Sequence, residues 1–258
     1  MPEHPLDWRR QVLGHLESLG AAGVAWLPNA PPLPPGSFPP VGQPSATISA
    51  TTSTAPAQPA ASPLEQRRQA LFMLADEVKA CRKCSELCST RTQTVFADGS
   101  PGAELCFIGE APGADEDAQG LPFVGAAGQL LNKIIAACGL KREDVYICNI
   151  LKCRPPGNRT PLPNEAANCR SFLERQLELV QPKFICALGG SAAMNLLQTT
   201  TPIGKLRGRF HDWKGIPVMV TYHPAYLLPH RAPEKKKDVW EDMKMLLAKM
   251  GREVPART

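Results

Sequence analysis

The segment LCFIGEAPGADED, residues 105–117, joins a short apolar run to a turn rich in glycine and proline. Apolar residues without polar alternation are typical of a strand that is buried on both faces. The small residues that follow allow close approach of a ligand, and their backbone N–H groups can bind a carbonyl or phosphate oxygen. Taken alone, the segment also fits an ordinary strand-to-helix turn with an acidic helix start.

Outward from this segment, apolar runs alternate with helical patterns. Further strands are predicted at residues 145–148, 184–188 and 218–221, and helices at residues 64–79, 125–138, 164–180, 191–197 and 236–250. This alternation predicts an α/β fold, a three-layer sandwich with a central four-stranded parallel sheet and helices on both faces. In such sheets the ligand lies beyond the carboxyl ends of the strands. We therefore expect a site formed by residues 109–113, 149–159, 189–191 and 222–231.

The chain divides into three parts. Residues 1–27 contain a short amphipathic helical pattern, which can dock on the domain or on a repair or replication partner. Residues 28–63 carry no charge and eleven prolines among Ala, Ser and Thr, which predicts a disordered linker. Residues 64–251 form the predicted globular domain.

Composition excludes several protein classes. The nine cysteines are an odd number and widely spaced, and no signal peptide precedes them, so a secreted disulfide framework is not expected. No apolar stretch approaches the ~20 residues of a membrane span. We expect a cytoplasmic protein, and its net charge of +5 suits a polyanionic partner without requiring one.

Four cysteines lie outside the predicted strands and beside loop signals: Cys81 and Cys84 in CRKC, Cys153 in KCRPP and Cys169 in NEAANC. A C-x-x-C turn presents two thiolates to one metal centre, so these residues suit zinc or an iron–sulfur cluster. The residue types do not distinguish between the two, and ordinary thiols are the other interpretation. Cys88 is an additional neighbour that complicates the assignment.

Four motifs occur in order along the chain: GEAPGADED, GLPFVGAAGQLLN, YICNILKCRPPGNRTPLPNEAANC and YHPAYLL. Together they resemble the family-four uracil-DNA glycosylases, the bacterial and archaeal type that carries a four-iron–four-sulfur cluster. The resemblance extends from about Cys81 to Met250. It implies an enzyme that flips uracil out of DNA and hydrolyses its N-glycosidic bond, which gives free uracil and an abasic site in base excision repair. It also implies uracil-containing DNA as partner, and we expect a monomer.

The resemblance assigns residues to roles. It makes Cys81, Cys84, Cys153 and Cys169 the ligands of a 4Fe–4S cluster. It makes the uracil pocket from Gly109, Glu110, Ala111, Phe123, Asn149 and His223. Other uracil-DNA glycosylases carry an aspartate that positions water, and Ala111 stands in its place. CRPPGNRTPLP stands where a covalently trapping relative has a histidine-bearing insertion, so turnover is expected.

The chemistry suits these residue types. Asn149 can donate to one uracil carbonyl and accept from the ring N–H, and Phe123 offers a face for stacking of the flipped base. His223 can donate to the uracil oxygen that gains charge as the bond breaks. Glu110 supplies backbone contacts or acts as a general base.

Other residues receive weaker assignments. Glu116 is a candidate for excluding the thymine methyl group, whereas Asp115 and Asp117 are expected to face solvent at a helix N-terminus. Leu227 is the predicted DNA wedge, with Leu228 as a neighbour that is equally suited to core packing. Phosphate contacts are expected from Lys205, Arg207, Arg209, His230, Arg231 and Lys235–Lys237.

Two other functions remain open. The alanine at position 111 is compatible with a non-catalytic protein that senses uracil or abasic DNA, and the cysteines alone are compatible with an electron-transfer protein.

Overall fold

A computed structural model describes residues 62–255, and in this part of the chain six strands form one mixed sheet. They are β1 (Asp98–Gly99), β2 (Leu105–Gly109), β3 (Tyr146–Asn149), β4 (Phe184–Leu188), β5 (Phe210–Trp213) and β6 (Ile216–Thr221). Their order across the sheet is β1-β3-β2-β4-β6-β5. The four inner strands are parallel, and β1 and β5 add to the two edges in antiparallel orientation.

The prediction of a four-stranded, purely parallel sheet is therefore corrected to a six-stranded mixed sheet. The predicted α/β fold class is confirmed. β1 has only two residues, and β5 has the sequence FHDW, in which two polar residues separate two aromatic ones. Neither edge strand therefore has the continuous apolar run that identifies a buried strand. β5 returns into β6 through Lys214 and Gly215, which both have positive φ values, 49° and 85°, as a two-residue hairpin turn requires.

The helices in the described residues are α1 (Pro63–Ala80), α2 (Ser85–Thr90), α3 (Ala114–Gln119), α4 (Ala126–Ala137), α5 (Pro163–Val180), α6 (Gly190–Leu197), α7 (Ile203–Leu206) and α8 (Lys236–Lys249). The hydroxyl oxygen of Ser62 caps α1 by accepting from the Glu65 N–H, and Pro63 occupies its first turn. The predicted N-terminal helix in residues 1–27 and the predicted linker up to residue 61 lie outside the described residues.

Two apolar layers cover the sheet. On one face, side chains of α5 and α6 pack on Ile108, Cys148, Ala187 and Val220. On the other face, α4 and α8 pack on residues one step along the same strands: Phe107, Ile147, Cys186 and Met219. Alternate residues of each strand thus point to opposite layers, and both layers are dry, which explains why the strands are continuously apolar.

The register brings the carboxyl ends of the parallel strands together. Gly109 pairs with Asn149 at the ends of β2 and β3, and Leu188 pairs with Thr221 at the ends of β4 and β6. The loops that leave these strands therefore share one edge of the sheet. None of the helices described between residues 62 and 255 is long and apolar enough to cross a membrane.

Candidate active site

A cleft of about 550 Å³ opens at the carboxyl edge of the sheet. It is lined by loops that follow three of the parallel strands, β2, β3 and β6, and by the start of α4. The residues predicted for a pocket that line it are Glu110, Ala111, Phe123, Asn149 and His223. Arg159, Tyr226 and Arg231 form part of the same wall.

Gly109 has no side chain, so Asn149 and Phe123 can pack directly against its backbone at the bottom of the cleft. A Cβ atom at this position would lie less than 3.0 Å from Asn149 Oδ1 and from ring carbons of Phe123. Both side chains therefore press on the backbone of β2, and any residue with a side chain would displace them. The structure thus brings together Gly109, Phe123 and Asn149, the first and last of which are 40 residues apart in sequence.

Asn149 presents an unsatisfied polar atom. The residue is 2% exposed, and its Oδ1 accepts no hydrogen bond from any of the residues 62–255. An unpaired buried oxygen costs about 1–3 kcal/mol, so such an atom on a cleft wall indicates a site for a donor from a ligand.

The loop of residues 121–125 holds Phe123 in a constrained backbone conformation, with φ = 54°. Glu116 Oε1 accepts from the N–H groups of Val124 and Gly125, both at 2.9 Å, and its Oε2 accepts from the Gly113 N–H at 3.0 Å. On the other side, Arg142 donates to the carbonyl oxygens of Pro122 and Phe123. The Phe123 backbone is thus held from both sides, and this fixes the direction in which the ring extends.

His223 lies against this ring, with the two ring centres 5.6 Å apart and their planes inclined by 32°. Its Nδ1 accepts a hydrogen bond of 3.1 Å from the Ala225 N–H, so the neutral ring carries its proton on Nε2. Burial lowers the pKa of His223 to about 4; the Arg231 charge acts in the same direction and Glu116 opposes it. At neutral pH the ring is therefore an uncharged donor. Gly189 makes room for it, since a Cβ there would lie 2.9 Å from the His223 Cβ.

Glu110 stands on the same wall. Burial raises the pKa of its carboxyl group, and a hydrogen bond with Ser191 acts against that rise. Ala111 brings no polar side-chain atom to the cleft, so Glu110 is the carboxylate that directly follows β2. A carboxylate with a raised pKa is better suited to accept a proton than an ordinary one.

The cysteine cluster, defined as Cys81, Cys84, Cys153 and Cys169, lies in a separate apolar layer between α1, α2 and α5. Two nitrogen donors face its sulfur atoms: Arg91 Nη1 lies 2.8 Å from Cys153 Sγ, and Asn168 Nδ2 lies 3.5 Å from Cys84 Sγ. Burial is the main cause that raises the pKa values of Cys153 and Cys169; Cys169 adds to the rise at Cys153, and Cys81 and Cys84 add to the rise at Cys169. Within residues 62–255, however, no three His, Cys, Asp or Glu side chains are arranged to hold a metal ion.

The chemistry of these donors is that of an iron–sulfur site. Four thiols occur together in an apolar layer, and N–H donors that stabilise thiolate sulfur point at two of them. Cys88 is also nearby, but its thiol donates to the Cys81 carbonyl oxygen at 3.5 Å. The residues fit a thiolate-bound group, although the thiols must move together to bind it.

A family model described as "Uracil DNA glycosylase superfamily" matches residues 96–244, more than half of the chain and all of the cleft. The chain belongs to the uracil DNA glycosylase superfamily. It is 43% identical over 179 residues to the type-4 uracil-DNA glycosylase of Thermotoga maritima, an alignment that covers 69% of this chain and 93% of the relative. It is 44% identical over 187 residues to the type-4 enzyme of Archaeoglobus fulgidus, with 69% and 92% covered.

Similarity also extends to a type-5 uracil-DNA glycosylase of Pyrobaculum aerophilum, at 35% identity over 147 residues, which covers 50% of this chain and 64% of that relative. The resemblance to the family-four enzymes that the four motifs suggested is confirmed by the type-4 relatives.

Three predictions about individual side chains are wrong. Leu227 is completely buried in the layer between the sheet, α4 and α8, so it is not available as a DNA wedge. Arg207 is held by Asp242 and Asp238, so it is not a free phosphate ligand. Asp117 does not face solvent: it is 2% exposed and accepts from the N–H groups of Thr92 and Gln93.

Sequence reasoning missed the residues that support the glycosylase pocket from behind. Arg142 reaches the Phe123 loop from a turn that follows α4, and Ser191 reaches Glu110 from the start of α6. Neither residue belongs to a motif on its own. Ser191 did lie in one of the four segments expected at the sheet edge, which was the only available signal for it.

Proposed function

We propose that this chain hydrolyses the bond between uracil and deoxyribose in DNA and leaves free uracil and an abasic site for base excision repair. The observation that carries the proposal is the unpaired Oδ1 of Asn149, a residue on the wall of a cleft that also contains an aromatic ring and a neutral histidine. Membership of the uracil DNA glycosylase superfamily and the names of the relatives support the same reaction.

Uracil is recognised through Asn149 and Phe123. A flipped uracil offers its N3–H to the unpaired Oδ1 and a carbonyl oxygen to the amide N–H group of Asn149. Cytosine has an acceptor at N3, so the buried Oδ1 would then face a second acceptor and remain unpaired. The Phe123 ring stacks on the base, which typically contributes about 1–3 kcal/mol.

His223 stabilises the leaving group. As the glycosidic bond breaks, the sugar becomes cationic and the base gains negative charge on a carbonyl oxygen. The Nε2–H of the neutral ring donates to that oxygen, and the contact from Ala225 N–H to Nδ1 keeps the proton on the correct nitrogen. A preorganised donor of this kind contributes about 3–4 kcal/mol to lowering the barrier.

Glu110 positions the attacking water. Its carboxylate accepts a proton as the water oxygen bonds to the sugar C1′, while the electron pair of the broken bond leaves with uracil. This assignment gives the chain a water-positioning group although position 111 is alanine.

Glu116 has a structural task in the same pocket, because its two oxygens accept three backbone hydrogen bonds. Exclusion of the thymine methyl group by the wall that Glu116 supports stays a prediction. DNA is held by positive charge at the mouth of the cleft, where Arg231 is a candidate for a phosphate contact. Arg159 lies on the same wall, but its guanidinium group is paired with Glu165 and Glu86.

The cysteine cluster holds a 4Fe–4S cluster in this proposal. Cys81, Cys84, Cys153 and Cys169 would be its thiolate ligands, and the group would tie α1 and α2 to α5. Its task is structural: it supplies cross-links between these helices and takes no part in breaking the glycosidic bond.

The test is a single-turnover excision assay on oligonucleotides that contain uracil, thymine or cytosine. We expect uracil alone to be released, and we expect His223→Ala to reduce the rate about 10²–10³-fold. His211→Ala is the matched control, because His211 lies on the edge strand β5 and is not among the residues that line the cleft, so it should change the rate less than twofold. If uracil DNA stays intact in the presence of excess iron-loaded protein, the proposed glycosylase activity is refuted. Tight binding without excision would indicate a uracil sensor.

A further inference from the structure

Lys152 is a completely buried lysine, with 0% of its surface exposed. Its Nζ donates to the carbonyl oxygen of Asn149 at 2.8 Å and to that of Phe96 at 3.4 Å, and it lies 5.9 Å from the centre of the Phe96 ring. No ion pair joins it to a carboxylate in the part of the chain that the structure describes. A buried ammonium group is costly unless a negative charge balances it, so the compensating charge must come from elsewhere.

Lys152 lies between the two centres of the molecule. On one side, its Nζ holds the end of β3, whose last residue, Asn149, has its side chain on the cleft wall. On the other side, it directly precedes Cys153, and its backbone N–H donates to the sulfur of Cys169. One residue thus contacts both the cleft strand and the cysteine cluster.

The sulfur atoms of the cysteine cluster adjoin Lys152, because its backbone N–H faces Cys169 and Cys153 is the next residue in the chain. When the cysteine cluster binds an iron–sulfur group, its sulfurs are thiolates, and the negative charge that Lys152 lacks is then present.

We propose that Lys152 is a positioning residue that couples the cysteine cluster to Asn149: thiolates of the loaded cluster balance its charge, and its Nζ fixes the strand end that presents Asn149 to the base. The proposal rests on the proposed function, in that it takes the cluster to hold iron and the cleft to hold uracil. It explains why a lysine, rather than an apolar residue, occupies a fully dry position between them.

Coupling has backbone support. Beyond Asn149 the chain continues in contact with the first motif, since Ile150 N–H donates to the Gly109 carbonyl at 3.0 Å and Leu151 N–H donates to the Glu110 carbonyl at 3.1 Å. A shift of residues 150–152 therefore moves both Asn149 and the backbone of Gly109 and Glu110. Loss of the Lys152 contact should accordingly weaken binding of the base as well as retention of iron.

The test compares Lys152→Met with Lys83→Met, using the full-length iron-loaded protein. Lys83 is the matched control, because it lies next to Cys84 but is exposed and does not contact Asn149. Two quantities are measured: the rate at which a chelator bleaches the visible iron–sulfur absorbance, and the Kd for an oligonucleotide with a non-cleavable 2′-fluoro-deoxyuridine. For Lys152→Met we expect both to worsen about tenfold or more, as for other groups that support metal ligands. For Lys83→Met we expect less than a twofold change in either.

Other results would overturn the proposal. One is a Lys152→Met protein that keeps its iron and binds the oligonucleotide as wild type does. Another is Cys148→Ala giving the same losses as Lys152→Met. Cys148 is the competing counter-charge, since a hydrogen bond from Cys106 and the Lys152 charge lower its pKa to about 7. Wild-type protein without iron at all would also overturn it.

If Lys152→Met does not fold, the wild-type protein answers the question. Hydrogen exchange is measured before and after chelation of iron, on peptides that cover residues 146–152 and, as control, residues 184–188 of β4. We expect about tenfold faster exchange in residues 146–152 only. Unchanged exchange there would overturn the proposal. None of these measurements depends on base excision, so a failure here is distinguishable from a failure of the proposed function.

Discussion

His223 acts through the proton on its Nε2. The hydrogen bond from the Ala225 N–H to Nδ1 keeps the proton on that nitrogen. Because the Ala225 N–H occupies Nδ1, a second proton on the ring would break this contact and change the donor that the base receives. With a pKa of about 4, the ring stays neutral over the range in which Glu110, whose pKa is raised by burial, gains its proton. Two ionisations at different pH values should therefore limit excision.

We predict that the single-turnover rate falls in two steps as the pH is lowered. The first follows protonation of Glu110, and the second, near pH 4, follows protonation of His223. In Glu110→Gln the rate should be lower throughout, with only the step near pH 4 left. The measurement is the pH profile of excision for both proteins, and a first step that persists in Glu110→Gln would contradict the role of Glu110.

The same histidine affects stability. Its pKa is about 4 in the folded protein and ~6.5 in an unfolded chain, so the unfolded state binds the proton first as the pH falls. The stabilising contribution of the neutral ring is complete above pH 6.5 and is lost as the pH falls from 6.5 to 4. We predict that the free energy of unfolding decreases more between pH 7 and pH 4.5 in wild type than in His223→Gln, by at most about 3 kcal/mol. Urea denaturation at the two pH values measures this, and equal decreases would contradict it.

At the level of elements, the Phe123 loop depends on a guanidinium group from outside the motifs. Arg142 Nε pairs with Asp98 Oδ2 at 2.7 Å, and its other nitrogens donate to Asn132 Oδ1 and to two loop carbonyls. A left-handed conformation at a bulky residue costs about 1–2 kcal/mol. These contacts, with those of Glu116, offset that cost and keep the ring ready for the base.

We predict that Arg142→Met relaxes Phe123 and weakens binding of the 2′-fluoro-deoxyuridine oligonucleotide about tenfold or more, since lost hydrogen bonds to a charged group are worth ~1.5–3 kcal/mol each. The neighbouring Lys141→Met is the control, because the Lys141 side chain is 75% exposed and pairs only with exposed Glu143. Equal affinities of the two variants would show that the loop does not need Arg142.

A strand could be predicted from the sequence only where its burial requires a recognisable pattern of apolar residues. β2, β3, β4 and β6 were located to within two residues because they are buried on both faces and therefore apolar throughout. β1 and β5 escaped because an edge strand needs no apolar pattern. The wedge at Leu227 failed for a related reason: a leucine after a strand looks the same in sequence whether it faces DNA or the core. Only the packing of α4 and α8 decides between the two.

The pocket was predictable in part for the same physical reason. Parallel strands end at one edge, so Gly109, Asn149 and His223 had to approach each other once the strands were located. The supporting contacts of Arg142, Ser191 and Lys152 were not predictable, because each depends on a side chain reaching a backbone or carboxylate group of a distant segment.

At the scale of the whole molecule, the residues that carry the fold and the cleft all lie within 62–255. The type-4 relatives match over most of their own length while covering 69% of this chain. Residues 1–61 also carry one more carboxylate than basic side chains, so they add no positive charge for DNA. Within residues 62–255, helices cover the apolar layers on both faces of the sheet.

We therefore predict that a protein of residues 62–258 has the same unfolding midpoint as the full chain, within about 2 °C, and excises uracil at the same rate within a factor of two. Its DNA affinity should fall with salt as steeply as that of the full chain, because the phosphate-binding side chains are all retained. Thermal denaturation, single-turnover excision and binding at two salt concentrations measure these quantities. A truncated protein that unfolds earlier or excises more slowly would show that residues 1–61 contribute to the domain itself; unchanged values leave their predicted helix free for a repair or replication partner.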